Sequence, residues 1–344
     1  MTQQAQALLA YLRAELRESG LAYAEPLTPL TGGFDTRIFT FRLSGAPKPF
    51  SIPLILRVLG TQYPQTRALV ERAIQNAVAG LGFPAPLVLL ASADPTILGG
   101  AFLVMERLSG RPLLDVRRFG LASALVETQL KLHALDPEVL LHALDREGPP
   151  ISREMATFEG HVARLQHRVG AGGLHGLARA IGWLVEHRPT DGTARVICHG
   201  DFHPQNILAE DDRVTGVIDW PNVVVAERAF DVASTRVILA FAPLDLLGIP
   251  PALRPIVDLA RRVLAVRYIA GYRRRHPLGA ARLAYYEALA CMRALIRTGE
   301  TRLAAHRISE LNPLDASPFG ERLSARFARL TGIAPTLPPV PRAS

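Results

Sequence analysis

Apolar residues along this chain follow two different periods, and the switch between them maps the elements. Near the start, Leu8, Leu9, Leu12 and Leu16 recur at helical spacing and predict an amphipathic helix. The stretches GGFDTRIFTFRL and PLILRVLG are instead rich in β-branched, aromatic and other apolar residues, with Gly and Pro around them, and predict strands. The turn-like SGAPKPF between them is too short for a crossover helix, so an antiparallel hairpin or meander is expected. QTRALVERAIQNAVAGLG predicts a helix with Ala68, Leu69, Ala73, Ile74, Ala77 and Val78 on its apolar face, ending at Gly80 or Gly82. A second strand pair, APLVLLASA and GAFLVMERL, follows.

From SGRPLLDVRR onward the pattern turns mostly helical. SALVETQLKLHALDP predicts a helix that stops at Asp136-Pro137, and segments 152–189 and 251–310 are also helical, the first interrupted at GAGGLHG. Strand signals return only in ARVICHG and NILAEDDRVTGVIDW. The Pro-rich GIAPTLPPVPRAS predicts an extended or poorly ordered tail. The expected fold class is therefore α+β: a small antiparallel β-rich lobe with one key helix, then a large, mostly helical lobe. A boundary near Glu106 to Gly110 divides the chain into residues 1–107, 108–333 and a tail 334–344.

Composition narrows the partners. With 49% hydrophobic and 20% charged residues, the chain reads as a soluble globular protein. A net charge of +8 permits polyanion binding, but the arginines are scattered. Only short clusters such as Arg273 to Arg275 occur, so nucleic acid is not an expected partner. Two distant cysteines, Cys198 and Cys291, offer neither zinc spacing nor a disulfide framework, and a reducing cytoplasm is expected. The most apolar run, RVILAFAPLDLLGIPPAL, is broken by Asp245 and three prolines, so no membrane partner is expected.

The chemistry concentrates in CHGDFHPQNIL, residues 198–208. His199, Asp201 and His203 alternate as metal ligands do, Cys198-His199 offers a nucleophile, and Asp201 with Asn206 suits phosphoryl transfer. The continuation to GVIDW reads as a β-hairpin that brings Asp219 back toward Asn206 and Asp201. Two carboxylates and a carboxamide are hard oxygen donors of the kind Mg²⁺ takes. The spacing from Asp201 to Asn206 equals that of the protein-kinase catalytic loop, with Gly200 where that loop carries Arg. No further His or Cys cluster supports a transition-metal site, and Cys198 follows an apolar strand, as a packed residue would. His133 near a helix end reads as capping or packing, and Asp231 as a structural residue at the start of a helix.

HGDFHPQNIL, GVIDW and the later FDVAST together resemble the aminoglycoside phosphotransferase family, which is related to choline kinases and more distantly to protein kinases. TPLTGGFDTRIFTFRL is similar to that family's nucleotide-covering hairpin, LILRV to its next strand, ERAIQNAVAGLGFPAP to the helix carrying an ion-pairing Glu, and FLVMERLSG to the hinge. The resemblance runs from Leu27 to about Ala240. It implies a bilobal protein-kinase-like fold and an ATP- or GTP-dependent, Mg²⁺-dependent transfer of phosphate to a small-molecule hydroxyl. Residue by residue, it implies Asp201 as catalytic base, Asn206 and Asp219 as Mg²⁺ ligands, and His199, His203 and Asp231 as supports of the loop. It further implies Arg57 with its partner Glu71 at the α- and β-phosphates, Gly32 and Gly33 over the phosphates, and backbone groups of Glu106 to Leu108 at the adenine edge.

Two departures stand out. Arg57 replaces the usual lysine, and TGGFDT is a shortened glycine loop. They keep a catalytically silent nucleotide-binding relative as an alternative, beside a metal-dependent hydrolase. The acceptor is expected against segments 152–189 and 222–275, which are apolar and basic, with Glu154, Glu159, Glu227 and Asp245 scattered. That favours a neutral, apolar or anionic hydroxyl compound over a polycation.

Overall fold

The computed structural model describes residues 2–30, 36–116, 120–190, 194–243, 249–308 and 319–340. The first elements are α1 (Gln3–Leu16), β1 (Ala22–Leu30), β2 (Thr36–Ser44), β3 (Leu54–Leu59), α2 (Arg67–Gly80), β4 (Val88–Ser92), α3 (Pro95–Leu98), β5 (Phe102–Glu106) and β6 (Arg111–Pro112). Next come α4 (Leu121–Leu132), α5 (Pro137–Glu147), α6 (Ser152–Ala156), α7 (Phe158–Ala171) and α8 (Ala178–Glu186). They are followed by β7 (Arg195–Cys198), β8 (Ile207–Glu210), β9 (Arg213–Val217) and β10 (Val224–Glu227). The last helices are α9 (Arg228–Phe241), α10 (Arg254–Arg275), α11 (Ala280–Ile308) and α12 (Phe319–Thr331).

The chain packs as two units. The first comprises Met1–Arg117, Glu138–Arg153 and Gln205–Pro221; the second comprises Arg118–Pro137, Glu154–Pro204 and Asn222–Ser344. Segments 138–153 and 205–221, expected with the helical part, belong to the first unit, where β6 pairs with β8 and β8 with β9.

In the first unit an antiparallel sheet has the order β1-β2-β3-β5-β4. Side-chain alternation serves its two faces. Leu54, Leu56 and Val58 of β3 and Phe102 and Val104 of β5 pack with Leu8, Leu9 and Leu12 of α1. The intervening Leu59, Leu103 and Met105 pack with Ala68 of α2. Arg57 thus falls on the α2 face by register alone. Edge strand β1 holds Pro26 and Pro29 near two register shifts, as expected for residues that cannot donate to a ladder.

The second unit is helical apart from the pair β7 and β10, in which Val196 faces Ala226 and Cys198 faces Val224. Long α11 packs along α9 and α12, around a core that includes Phe230, Tyr268 and Tyr272. Beyond α12 the Pro-rich segment is extended and docked: Thr336 N donates to Gly176 O (3.1 Å), and Arg302 Nη1 to Pro338 O (3.1 Å). No described helix is long and apolar enough to cross a membrane.

Four differences from the sequence reading emerge, two of them caused by prolines. Pro137, read as a stop, also opens α5, because proline suits a first helical turn. His276-Pro277 divides the segment 251–310 into α10 and α11. Strand β10, carried by Val223-Val224-Val225, and helix α12 were not anticipated.

Phe102 is fully buried under α1 and meets the Tyr11 ring edge-on at 5.3 Å. Phe102→Ala should lower stability by about 3–5 kcal/mol, read by urea denaturation.

Candidate active site

The sequence-predicted residues fall into two groups, one in each unit. In the first unit, Arg57 projects from β3 toward α2. Its Nη1 pairs with Glu71 Oε2 at 3.1 Å, and its Nη2 with Asp219 Oδ1 at 3.2 Å. Glu71 was expected as the partner; the bond to Asp219 was not. Arg67, one turn before Glu71, gives its Nε to Glu71 Oε1 at 2.8 Å and lies over the Tyr63 ring at 3.9 Å. Glu71 is buried although its position on an amphipathic helix reads as solvated; two arginines supply the charge that burial requires. Burial pushes the Arg57 pKa down, but Glu71 and Asp219 outweigh it, so the group stays charged. Arg57 Nε is buried without an acceptor.

Asp219 and Asn206 occupy the open end of the β8–β9 hairpin. Ile207 pairs with Val217, and Ile218 N donates to Asn206 O at 2.9 Å, which holds the two arms together just before Asp219. Asp219 has a left-handed backbone with φ of 68°, uncommon outside glycine and a mark of sites held by their surroundings. The next residue does the holding: Trp220 is buried, stacks edge-on to Phe83 at 5.7 Å and donates Nε1 to Val217 O at 2.8 Å. At the end of β5, the Glu106 amide donates to Leu87 O (3.0 Å) and the Arg107 amide to Pro53 O (2.9 Å). Leu108 packs against Gly216 of β9. Gly32 and Gly33 lie outside the described residues.

In the second unit the loop after β7 is held from inside. Asp231 on the first turn of α9 is wholly buried, and its Oδ1 accepts from the Gly200 amide at 2.7 Å. Its Oδ2 receives the His199 amide (3.2 Å), Gln129 Nε2 (3.0 Å) and His133 Nε2 (3.1 Å). His133 Nδ1 in turn meets the Tyr272 hydroxyl at 2.5 Å. Burial alone would raise the Asp231 pKa; the bond and charge of His133, the charge of His199 and the Gly200 amide hold it below the ordinary carboxylate value. Asp231 therefore braces the loop and does not act as an N-cap. Gly200 has φ of 76°, and a Cβ there would stand 2.3 Å from Asn222 O, so the arginine of the kinase pattern has no room.

His199 is buried, and its Nδ1 accepts the Asp201 amide at 3.3 Å, so that lone pair is already engaged. His203 Nε2 lies 3.7 Å from Asp201 Oδ1. Among the described residues, one group of three potential ligands comes together: His133, Cys198 and Asp231. Asp231 spends its oxygens on the four donors above, and burial keeps the Cys198 thiol protonated. Neither the metal-hydrolase nor the cysteine-nucleophile arrangement is therefore assembled there. Sequence reasoning missed Gln129 and the bond of His133; their i, i+4 spacing on the buried face of α4 was the available signal.

The profile of the Phosphotransferase enzyme family matches residues 26–278. The chain belongs to this family. Within it, an aminoglycoside 3'-phosphotransferase of Streptomyces fradiae is 30% identical over 211 residues, covering 58% of this chain and 75% of that protein. Acyl-CoA dehydrogenase family member 11 of Pongo abelii is 27% identical over 178 residues, covering 47% of this chain. The match is 22% of that relative, so the chain spans about a fifth of the length of such curated relatives. A thermostable mutant of aminoglycoside phosphotransferase APH(4)-Ia, solved in ternary complex with AMP-PNP and hygromycin B, is similar with a TM-score of 0.57 at 18% identity. That likeness covers 95% of this chain and 98% of the other, and shows the α+β, protein-kinase-like fold.

This phosphotransferase family member should depend on Asp231 for the loop. Asp231→Asn keeps one acceptor oxygen but turns an NH₂ toward the loop amides or His133, at a cost of about 2–3 kcal/mol in urea unfolding. Because the folded pKa is lowered, the carboxylate's contribution is full above the unfolded value near about 4 and is lost as pH falls through the folded one. The asparagine variant should show a shallower acid limb.

Proposed function

We propose that the chain is an O-phosphotransferase that uses ATP or GTP with Mg²⁺ to phosphorylate a hydroxyl of a small molecule. The observation that carries this reading is the convergence of Glu71 and Asp219 on Arg57, at the hairpin end that holds Asn206. The pairing positions a cation whose Nε still lacks an acceptor, which a phosphate oxygen would supply. Arginine is suited to the role lysine usually has, since its fork can keep a carboxylate and reach a phosphate oxygen together. The neighbour solved with AMP-PNP supports a nucleoside triphosphate as donor.

The donor set fits Mg²⁺. Asn206 brings a carboxamide oxygen and Asp219 a carboxylate of which Arg57 engages Oδ1, the hard ligands this ion takes while keeping water and phosphate oxygens. When bound, the ion would neutralise charge on the phosphate oxygens. At the adenine edge, the Glu106 and Arg107 amides are already spent on Leu87 and Pro53. The Leu108 amide has no acceptor among the described residues, and is assigned to the base.

Asp201 acts as the base. The acceptor hydroxyl oxygen bonds to the γ-phosphorus, and the bond from that phosphorus to the bridging oxygen breaks. The hydroxyl proton passes to the Asp201 carboxylate, and the nucleoside diphosphate leaves. His199, through its ring bond to the Asp201 amide, and Asp231, through the two preceding amides, orient that carboxylate. His203 lies beside it as a further support.

Asp201→Asn should reduce transfer by about 10²–10⁴-fold with Mg·ATP affinity unchanged, measured by nucleoside diphosphate release and calorimetry; wild-type turnover would remove Asp201 from its role. Asp219→Ala should weaken Mg²⁺-dependent nucleotide binding by about tenfold or more. Equal affinity with and without the ion in both proteins would count against metal binding there.

A further inference from the structure

Within the helical unit, cations gather beside the Asp201 loop with no ion pair to two of them among the described residues, although Glu154 acts on Arg164 from a distance. Phe230, the residue before Asp231, is flanked by two of the groups concerned. The His161 ring of α7 meets it edge-on at 5.4 Å, and the Arg293 guanidinium of α11 lies over it at 5.2 Å. Arg293 Nη1 donates to Ser234 Oγ at 3.1 Å, and Arg293 makes no ion pair among the described residues. Arg164, three residues after His161, gives Nη2 to Met155 O at 2.7 Å and likewise makes no ion pair there. Both arginines are half-buried, so they are neither fully hydrated nor closed to a ligand. His161 is buried, and its Nε2 has no hydrogen-bond partner.

The surrounding charges place this cluster in electrostatic reach of the base. Burial pushes the Arg293 pKa down, while the Asp201 and Asp231 carboxylates pull it up. Burial, then Arg293, Arg164 and Arg168, push the His161 pKa well below its usual value, so the ring is neutral. Arg168 is already satisfied by Glu300, through two bonds of 2.8 and 2.6 Å. The neighbouring Arg164 and Arg293 are not. Partly dehydrated guanidinium groups without a directly paired anion are costly, and planar forks of this kind match carboxylate and phosphate oxygens.

We propose that Arg293 and Arg164, with His161, bind the acceptor through an anionic group, so that the substrate is a hydroxyl compound carrying a carboxylate or a phosphate. This rests on the phosphotransferase reading of Asp201. The transfer chemistry is unchanged: Arg293 and Arg164 are positioning residues, which hold the anionic end while the hydroxyl end meets Asp201. A polycationic acceptor would bring like charge onto the same groups and be disfavoured.

The test uses the full chain with Mg·ATP and Mg·GTP and four acceptor classes: hydroxycarboxylates, hydroxyalkyl phosphates, neutral polyols such as glycerol, and the polycation hygromycin B. Nucleoside diphosphate release gives kcat and KM, and calorimetry with AMP-PNP present gives acceptor binding. One anionic class should turn over best, and which one separates carboxylate from phosphate recognition. Arg293→Gln should raise KM for that class by about 10–100-fold with little change in kcat. Arg293→Lys should recover part of the loss, and exposed Arg146→Gln should shift nothing. If the glutamine variant does not fold, the lysine variant carries the comparison, because it keeps the charge and loses the fork. Preference for glycerol or hygromycin B, absence of binding by either anionic class, or an unchanged KM in the Arg293 variants overturns the assignment. Failure of the wild type to bind Mg·ATP or Mg·GTP, or full turnover by Asp201→Asn, would instead remove the phosphotransferase reading itself.

Discussion

A carboxylate sealed from water, Asp231, sets the conditions that its surroundings in the helical unit must meet. An ion buried this way costs several kcal/mol unless its lone pairs are filled. Four donors fill them: two successive main-chain amides, the Gln129 carboxamide and the His133 ring. Each donor is itself constrained. His133 is oriented by Tyr272, and Gln129 accepts from the Tyr268 hydroxyl. The amides can point inward only because Gly200 adopts a left-handed backbone hard against Asn222 O. The loop that presents Asp201 is therefore held by its backbone, from below, which leaves its side chains available for chemistry.

In the first unit a cation has the corresponding role. Arg57 bridges Glu71 and Asp219 through separate nitrogens, and so ties β3, α2 and the turn after β9 together. A lysine ammonium is a compact point charge, whereas the planar guanidinium offers fixed donors in several directions. The replacement of the usual lysine is thus coherent with its setting, since Arg67 also binds Glu71 and keeps that carboxylate from being drawn wholly to Arg57. The left-handed Asp219 is affordable where Trp220 locks the turn against Phe83.

Much of this was legible in the sequence where one periodicity or one short motif sufficed. The apolar run in LILRVL located the strand and the apolar stripe of α2 the helix, while the pairing of Arg57 with Glu71 came from the family resemblance. The run from Asn206 to Asp219 gave its own hairpin, because apolar stretches flanked a polar turn. What escaped depends on distant partners. Nothing local in Gln129 announces a bond to a residue 102 positions away, and Arg57 with Asp219 joins strands far apart in the chain. Strand β10 escaped because its partner β7 lies far upstream, Val224 pairing with Cys198 and Glu227 with Arg195, outside any window of local pattern. Proline misled at 137 because the same residue ends one helix pattern and begins another.

Family membership and acceptor chemistry are decided by different residues. The groups that define the fold are buried and mutually dependent: Asp231 with Gly200, Arg57 with Glu71, Trp220 with Phe83. A change at one of them leaves a buried partner unmatched, so each constrains the others. The proposed acceptor side is lined by groups with fewer ties, although Arg293 also lies over the Phe230 ring. Arg164 and Arg293 each make one hydrogen bond to the protein, to Met155 O and Ser234 Oγ. A change there would alter the charge presented to a substrate, and the hydrogen bonds of both arginines go to residues outside the loop and the hairpin. Substrate class can thus diverge while the phosphotransferase frame stays intact, and it must be read from the charge beside Asp201 rather than from the name of a relative.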